Sequence, residues 1–166
     1  MADDMSDEAH AGPAAPAGNQ QSPLEPFGEA ESWQLITAGG VGRIGYSGRY
    51  GPTILPVNFA VQDKAIYFRT ARHSTMEEDL HTGIAHADYK VAFEIDYFDE
   101  TAHAGWSVLV QGDVHPMESD AERAVAVQTD VQSWVAGDRD LFLRITPTKV
   151  TGHRIGRLPG WPGRDD

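Results

Sequence analysis

The stretch Ile66-Tyr67-Phe68-Arg69-Thr70-Ala71-Arg72-His73-Ser74-Thr75-Met76-Glu77-Glu78-Asp79-Leu80 brings two arginines and the hydroxyls of Thr70, Ser74 and Thr75 into a few positions. If its start is a strand, alternation puts Ile66, Phe68 and Thr70 on one face and Tyr67 and Arg69 on the other. Ser74 followed by Glu77 has the capping-box pattern, which opens a helix and leaves free backbone N–H groups just beyond a cationic strand end. An arginine fork, hydroxyls and a helix N-terminus together suit a phosphate monoester. The same residues also read as solvated arginines ahead of carboxylates that merely complement a helix dipole, and those carboxylates would repel a bound anion.

Other chemistry is less well supported by spacing. His81 and His86 are five apart, which matches neither one helix face nor a zinc-ligand pattern, so no metal site is expected. Ser47 and Ser107 lack the Gly-x-Ser-x-Gly elbow of a serine nucleophile. The run Gly39-Gly40-Val41-Gly42 precedes a strand, whereas a dinucleotide fingerprint follows one. Glu94, Asp96, Asp99 and Glu100 read either as an acid/base pair or as the wet face of a strand whose other face carries Phe93, Ile95 and Tyr97. Trp106 and Trp134 read as core or interface residues.

The elements that must position these residues fit one domain, since 166 residues can bury a real core. A net charge of −12 disfavours affinity for nucleic acid or an anionic membrane. With no cysteine, disulfides, thiolate catalysis and cysteine-held metals are excluded. No apolar run approaches the roughly 20 residues of a spanning helix, and the N-terminus has no signal-peptide pattern, so a cytoplasmic location is expected.

Residues 1–26 are rich in Ala, Gly, Pro, Asp and Glu and are expected to form a disordered tail, with the folded domain over 27–156 and a loose tail at 157–166. A short helix is expected at 29–38 and a meander of strands at 41–46, 53–61 and 65–70, with Pro56 marking an edge or a bulge. After the helix opened by Ser74, residues 81–89 read as irregular, 91–97 and 105–117 as paired strands, and Gly112 as a bulge or corner. Ser119 and Glu122 open a helix drawn to Trp134, and 141–146 and 149–155 read as two last strands separated by Pro147. The pattern predicts a mainly β protein, an antiparallel barrel or sandwich with a few short helices.

The ordered set Val41-Gly42-Arg43-Ile44, Leu55-Pro56-Val57-Asn58-Phe59, Ile66-Tyr67-Phe68-Arg69-Thr70, Val91-Ala92-Phe93-Glu94-Ile95-Asp96, Gly105-Trp106-Ser107-Val108-Leu109-Val110-Gln111-Gly112 and Val150-Thr151-Gly152 resembles the pyridoxamine 5'-phosphate oxidase-like family, in its short nitroimidazole-resistance-type branch. The resemblance implies an antiparallel split β-barrel, a homodimer, and flavin mononucleotide (FMN) in clefts at the subunit interface. By position it implies that Val57 and Asn58 follow the isoalloxazine ring, and that Phe68, Arg69 and Thr70 meet ring and phosphate. It implies further that Ser74, Thr75 and Met76 form the phosphate turn, and that Trp106 and Ser107 reach the flavin, commonly from the partner chain. Family members often carry lysine where this chain has Thr75, and losing one charge-assisted contact costs about 1.5–3 kcal/mol. Arg72, three positions earlier, offers a substitute cation. The implied activity is hydride transfer through flavin N5 to or from a small molecule, with no dedicated catalytic residue. Some relatives in the wider superfamily hold a deazaflavin or heme instead, for which His73 or His103 would be the axial ligand to test, and a non-catalytic binding module is the other alternative.

Overall fold

The computed structural model describes residues 24–81, 89–134 and 137–156. The expected tails, apart from residues 24–26, and the irregular segment with His86 lie outside the described residues. In order the elements are β1 (Leu24–Phe27), α1 (Glu29–Ile36), β2 (Gly40–Gly48), β3 (Gly51–Gln62), β4 (Ala65–Thr70), α2 (Thr75–Leu80), β5 (Tyr89–Asp99), β6 (Ala104–Pro116), α3 (Asp120–Gln128) and β7 (Leu141–Ile155). All pairings are antiparallel, in the order β1-β7-β4-β3-β2-β5-β6, and β6 returns to β7. Strands β2 to β7 therefore close a ring, and β1 adds to β7 from outside: an antiparallel barrel, one of the two architectures the residue pattern left open and the one the resemblance implied.

Alternation builds the interior. Ile44, Phe59, Phe68, Phe93, Val108, Val110 and Ile145 all point inward and are buried. Phe93 sits at the centre, edge-on to Phe59 with ring centroids 5.3 Å apart and tilted against Phe68 at 6.2 Å. Trp33 and Ile36 of α1, and Met76 and Leu80 of α2, join this cluster. Helix α3 covers a second, smaller cluster on the outside of the ring, formed by Ala65, Tyr67, Met117 and Ala126.

The hairpins follow turn chemistry. Strands β3 and β4 are joined by Asp63 and Lys64, both at positive φ (50° and 55°), the left-handed pair that a two-residue hairpin turn needs. Strand β3 is paired with β2 along residues 51–59 without a register break, but with β4 only from Phe59 to Gln62. Residues 51–58 therefore have a neighbour on one side only. Pro56, which has no N–H to give, lies in this stretch, so it marks an edge and not a bulge.

Three expectations are corrected. Strand β1 was not foreseen; it is held by pairing with β7, where the Phe27 ring lies over Gly152 and leaves no room for a side chain. Helix α3 stops at Gln128, well short of Trp134: the Thr129 hydroxyl donates to the Ala126 carbonyl at 2.6 Å and Asp130 takes φ +51°, while Val125 and Val127 of the helix are exposed. The two last strands are one, because Pro147 lies at a bulge and not at a break. Gln111 faces Lys149 while Gly112 faces Pro147, leaving Thr148 as the extra residue, and its hydroxyl donates to the Gln111 carbonyl at 3.1 Å.

Gly112 is required at this bulge. A Cβ there would stand 2.2 Å from the Thr146 carbonyl oxygen, a main-chain atom that cannot swing aside. Gly112→Ala is expected to cost about 1–3 kcal/mol, as overpacking does, read as a lower denaturant midpoint at unchanged slope. An unchanged midpoint would show that β7 moves freely at the bulge.

Candidate functional site

The place where β3 and β4 part is where the chemistry collects. Phe59 and Phe68 form the last pair between these strands, and both are buried. The next residue on each strand is Asn58 and Arg69, and alternation turns both outward. Val57, Phe68 and Thr70 point into the barrel, so at the fork Val57 offers only main-chain groups to a ligand, and Phe68 is paired on both sides, with Phe59 and Leu143. From there β3 continues along β2, and β4 along β7, where Arg69 faces Phe142 and Thr70 faces Leu141.

The connection from α3 to β7 runs over this fork. The Trp134 backbone N–H donates to Asn58 Oδ1 at 2.9 Å, and Arg69 Nε donates to the Arg139 carbonyl at 2.6 Å. The Arg69 guanidinium also stacks on the Phe142 ring, 4.9 Å from its centroid. Pro56, Val57, Asn58 and Arg69 form one wall of a small cleft, and Val131, Gln132, Ser133 and Arg139 the other. Its volume is about 30 Å³, room for one water and far below the few hundred Å³ of a typical small-molecule site. Among the described residues no carboxylate lines it, although the whole chain carries −12.

The turn after β4 is ordered by its own hydrogen bonds. Ser74 caps α2, accepting from the Glu77 N–H at 3.2 Å, and its hydroxyl meets that of Thr70 at 3.0 Å. The capping-box partner reaches one residue further back than expected: Glu77 Oε2 accepts from the His73 N–H at 2.9 Å, with His73 in the left-handed region at φ +58°. Thr75 is exposed and Met76 is buried in the barrel cluster. Arg72, the expected substitute cation, is paired with Asp140 at 3.0 Å, which holds the Asp140 carboxyl below its usual range.

Trp106 and Ser107 lie on β6, three strands from β3 in either direction round the ring. Three strand spacings amount to about 14 Å, so a single chain does not bring them to Asn58. Glu94 and Asp96 share the Arg43 guanidinium, each at 3.1 Å, on the outer face of the sheet. Burial first, and then the neighbouring Asp96, pushes the Glu94 carboxyl up, while Arg43 opposes this. Phe93 and Ile95 between them are buried, so the alternating-strand reading of this run is the one the structure supports.

Arg139 and the 131–134 strap were missed from sequence. Their signal was hidden by drawing a helix to Trp134; the Thr129-Asp130 stop and the Gly137-Asp138 pair would have exposed the strap as a loop facing β7.

A model of the pyridoxamine 5'-phosphate oxidase family matches residues 28–154. An uncharacterized protein of Mycobacterium tuberculosis is 32% identical over 125 residues, covering 75% of this chain and 81% of its own. Among solved structures, an FAD-binding protein from Mycobacterium smegmatis superposes with a TM-score of 0.64 at 27% identity, covering 80% of this chain and 98% of that one. A conserved protein of unknown function from Corynebacterium diphtheriae does so with 0.62 at 26% identity, covering 81% and 99%.

The strap contact is separable from the barrel. Asn58→Ala is expected to lower stability by about 0.5–1.5 kcal/mol and to speed hydrogen exchange at the Trp134 amide, with β2 and β3 amides unchanged. Unaltered exchange at Trp134 would mean that Asn58 does not anchor the strap.

Proposed function

Because the chain belongs to the pyridoxamine 5'-phosphate oxidase family, we propose that it is a flavin-dependent oxidoreductase that binds FMN at the β3–β4 fork, in a homodimer, and acts on a small molecule. The observation that carries this reading is the fork itself. It gives a free strand edge, one amide and one guanidinium facing outward, and, among the described residues, no carboxylate in the lining of a strongly acidic chain. The FAD-binding character of the Mycobacterium smegmatis neighbour supports a flavin.

The donors fit such a ligand. With its oxygen held by the Trp134 N–H, Asn58 keeps its NH₂ to donate to a ring carbonyl. With Nε spent on the Arg139 carbonyl, Arg69 keeps both terminal nitrogens for an anion. Val57 contributes main-chain groups where β3 lacks a second neighbour, and the Thr70-Ser74 hydroxyl pair fixes the turn that carries Thr75 and Met76. Bound there, a flavin supplies hydride transfer at N5, which leaves positioning and electrostatics to the protein.

A second copy of the chain is needed to complete the site. One chain encloses only the small cleft and keeps its own Trp106 and Ser107 on a distant strand. The outer face of the sheet offers a surface for that copy: Gly45 and Ala92 make a flat strip, and Val41 and Ile54 are exposed beside it.

Freshly purified protein, or protein titrated with FMN, is expected to show the flavin absorbance bands. No binding at high micromolar FMN would overturn the proposal, and a Soret band would replace flavin by heme. In sedimentation the protein should run as a dimer; a monomer contradicts the shared site. Arg69→Ala should weaken FMN binding about tenfold or more, the loss of one charge-assisted contact, and leave the dimer intact.

A further inference from the structure

We propose that Arg139, from the loop between α3 and β7, is a second phosphate-binding residue of the fork and takes over the charge that Thr75 does not supply. This rests on the flavin reading above and names the group that would hold the cofactor's phosphate. Three observations converge on it. Arg139 lines the same cleft as Asn58 and Arg69. Its carbonyl accepts from Arg69 Nε at 2.6 Å, so the main chain of residue 139 is held against the Arg69 side chain by a bond that needs no carboxylate.

The third observation is a comparison of the chain's cations. Arg43 is spent on Glu94 and Asp96, Arg49 on Glu78 and Asp79, Arg72 on Asp140, and Arg154 on Glu25 and Glu31. Among the described residues Arg69, Arg123, Arg139, Arg144 and Lys149 have no ion pair, and of these Arg69 and Arg139 line the fork. Arg69 and Arg139 both line a cleft in which no described lining residue is a carboxylate, and planar guanidinium forks match phosphate oxygens. A groove of about 410 Å³ around the β6 bulge also carries cations, Lys90 and Lys149, but Lys90 is paired with Asp113 and neither is an arginine whose planar fork matches a phosphate.

The test compares wild-type protein, Arg139→Gln and Arg139→Lys for binding of FMN, FAD and riboflavin by equilibrium dialysis. The Arg69 contact uses the main-chain carbonyl of residue 139, so neither variant removes it, and equal melting temperatures without ligand confirm this. Arg139→Gln is expected to weaken FMN about tenfold to a hundredfold and to leave riboflavin, which has no phosphate, unchanged; Arg139→Lys should recover part of the loss. Equal weakening of FMN and riboflavin, or none of either, overturns the proposal. If wild-type protein binds no flavin, the flavin reading fails, and inorganic phosphate and pyrophosphate then probe the cleft alone. Stabilisation by either anion that Arg139→Gln abolishes supports Arg139 as a phosphate ligand, and stabilisation that survives, or none, overturns it. A variant that keeps full FMN affinity but loses phosphate binding assigns the anion to a substrate and overturns the cofactor role.

Discussion

β7 must serve three neighbours along its fifteen residues, and the rest of the molecule depends on how it does so. Its first half lies between β4 and β6, and its second half between β6 and β1. A straight strand cannot close a small ring and then lean outward to a different partner. The extra residue Thr148, opposite the Gln111-Gly112 step, supplies the bend, and the Thr148 hydroxyl satisfies the Gln111 carbonyl. Because β4 follows the first half of β7, it leaves β3 after four residue pairs. The free edge of β3, and with it the outward-facing Asn58 and Arg69, follows from ring closure at the other side of the barrel.

Electrostatics then separates the fork from the rest of the surface. Arg43, Arg49, Arg72 and Arg154 lie within salt-bridge distance of carboxylates, and such exposed pairs are worth little individually but neutralise the cation. At the fork this arrangement is replaced by main-chain and aromatic partners: a carbonyl for Arg69 Nε and the Phe142 ring for its flat face. These fix the side chain without cancelling its charge. A chain at −12 would otherwise be a poor host for a phosphate, and the lack of carboxylates among the described residues that line this cleft makes the negative total compatible with an anionic ligand.

The legible parts of the fold were those where the sequence period and the local contacts agree. Ala65–Thr70 was read to the residue because apolar alternation, the Asp63-Lys64 turn and the Ser74 cap delimit it on both sides. Pro56 announced an edge because a missing donor is a property of one residue. Residues 24–27 carried no such signal: they are exposed along most of their length and exist as a strand only through β7. The helix drawn to Trp134 failed for the opposite reason. Small apolar residues at helical spacing imitate a buried stripe, but only Ala126 is covered, so packing gave the helix nothing to extend along past Thr129.

The same contrast applies within the site. Asn58 and Arg69 could be singled out from sequence because their side chains differ from their neighbours' in kind. The strap could not, because what ties it to the fork is the Trp134 N–H and the Arg139 carbonyl, groups that almost every residue carries. The Arg139 side chain is therefore free of the task of placing the strap, and can be given to the ligand. Arg139 illustrates the consequence: its carbonyl does structural work that any residue could do, and its guanidinium, left without a carboxylate, is available for a negatively charged group at the fork.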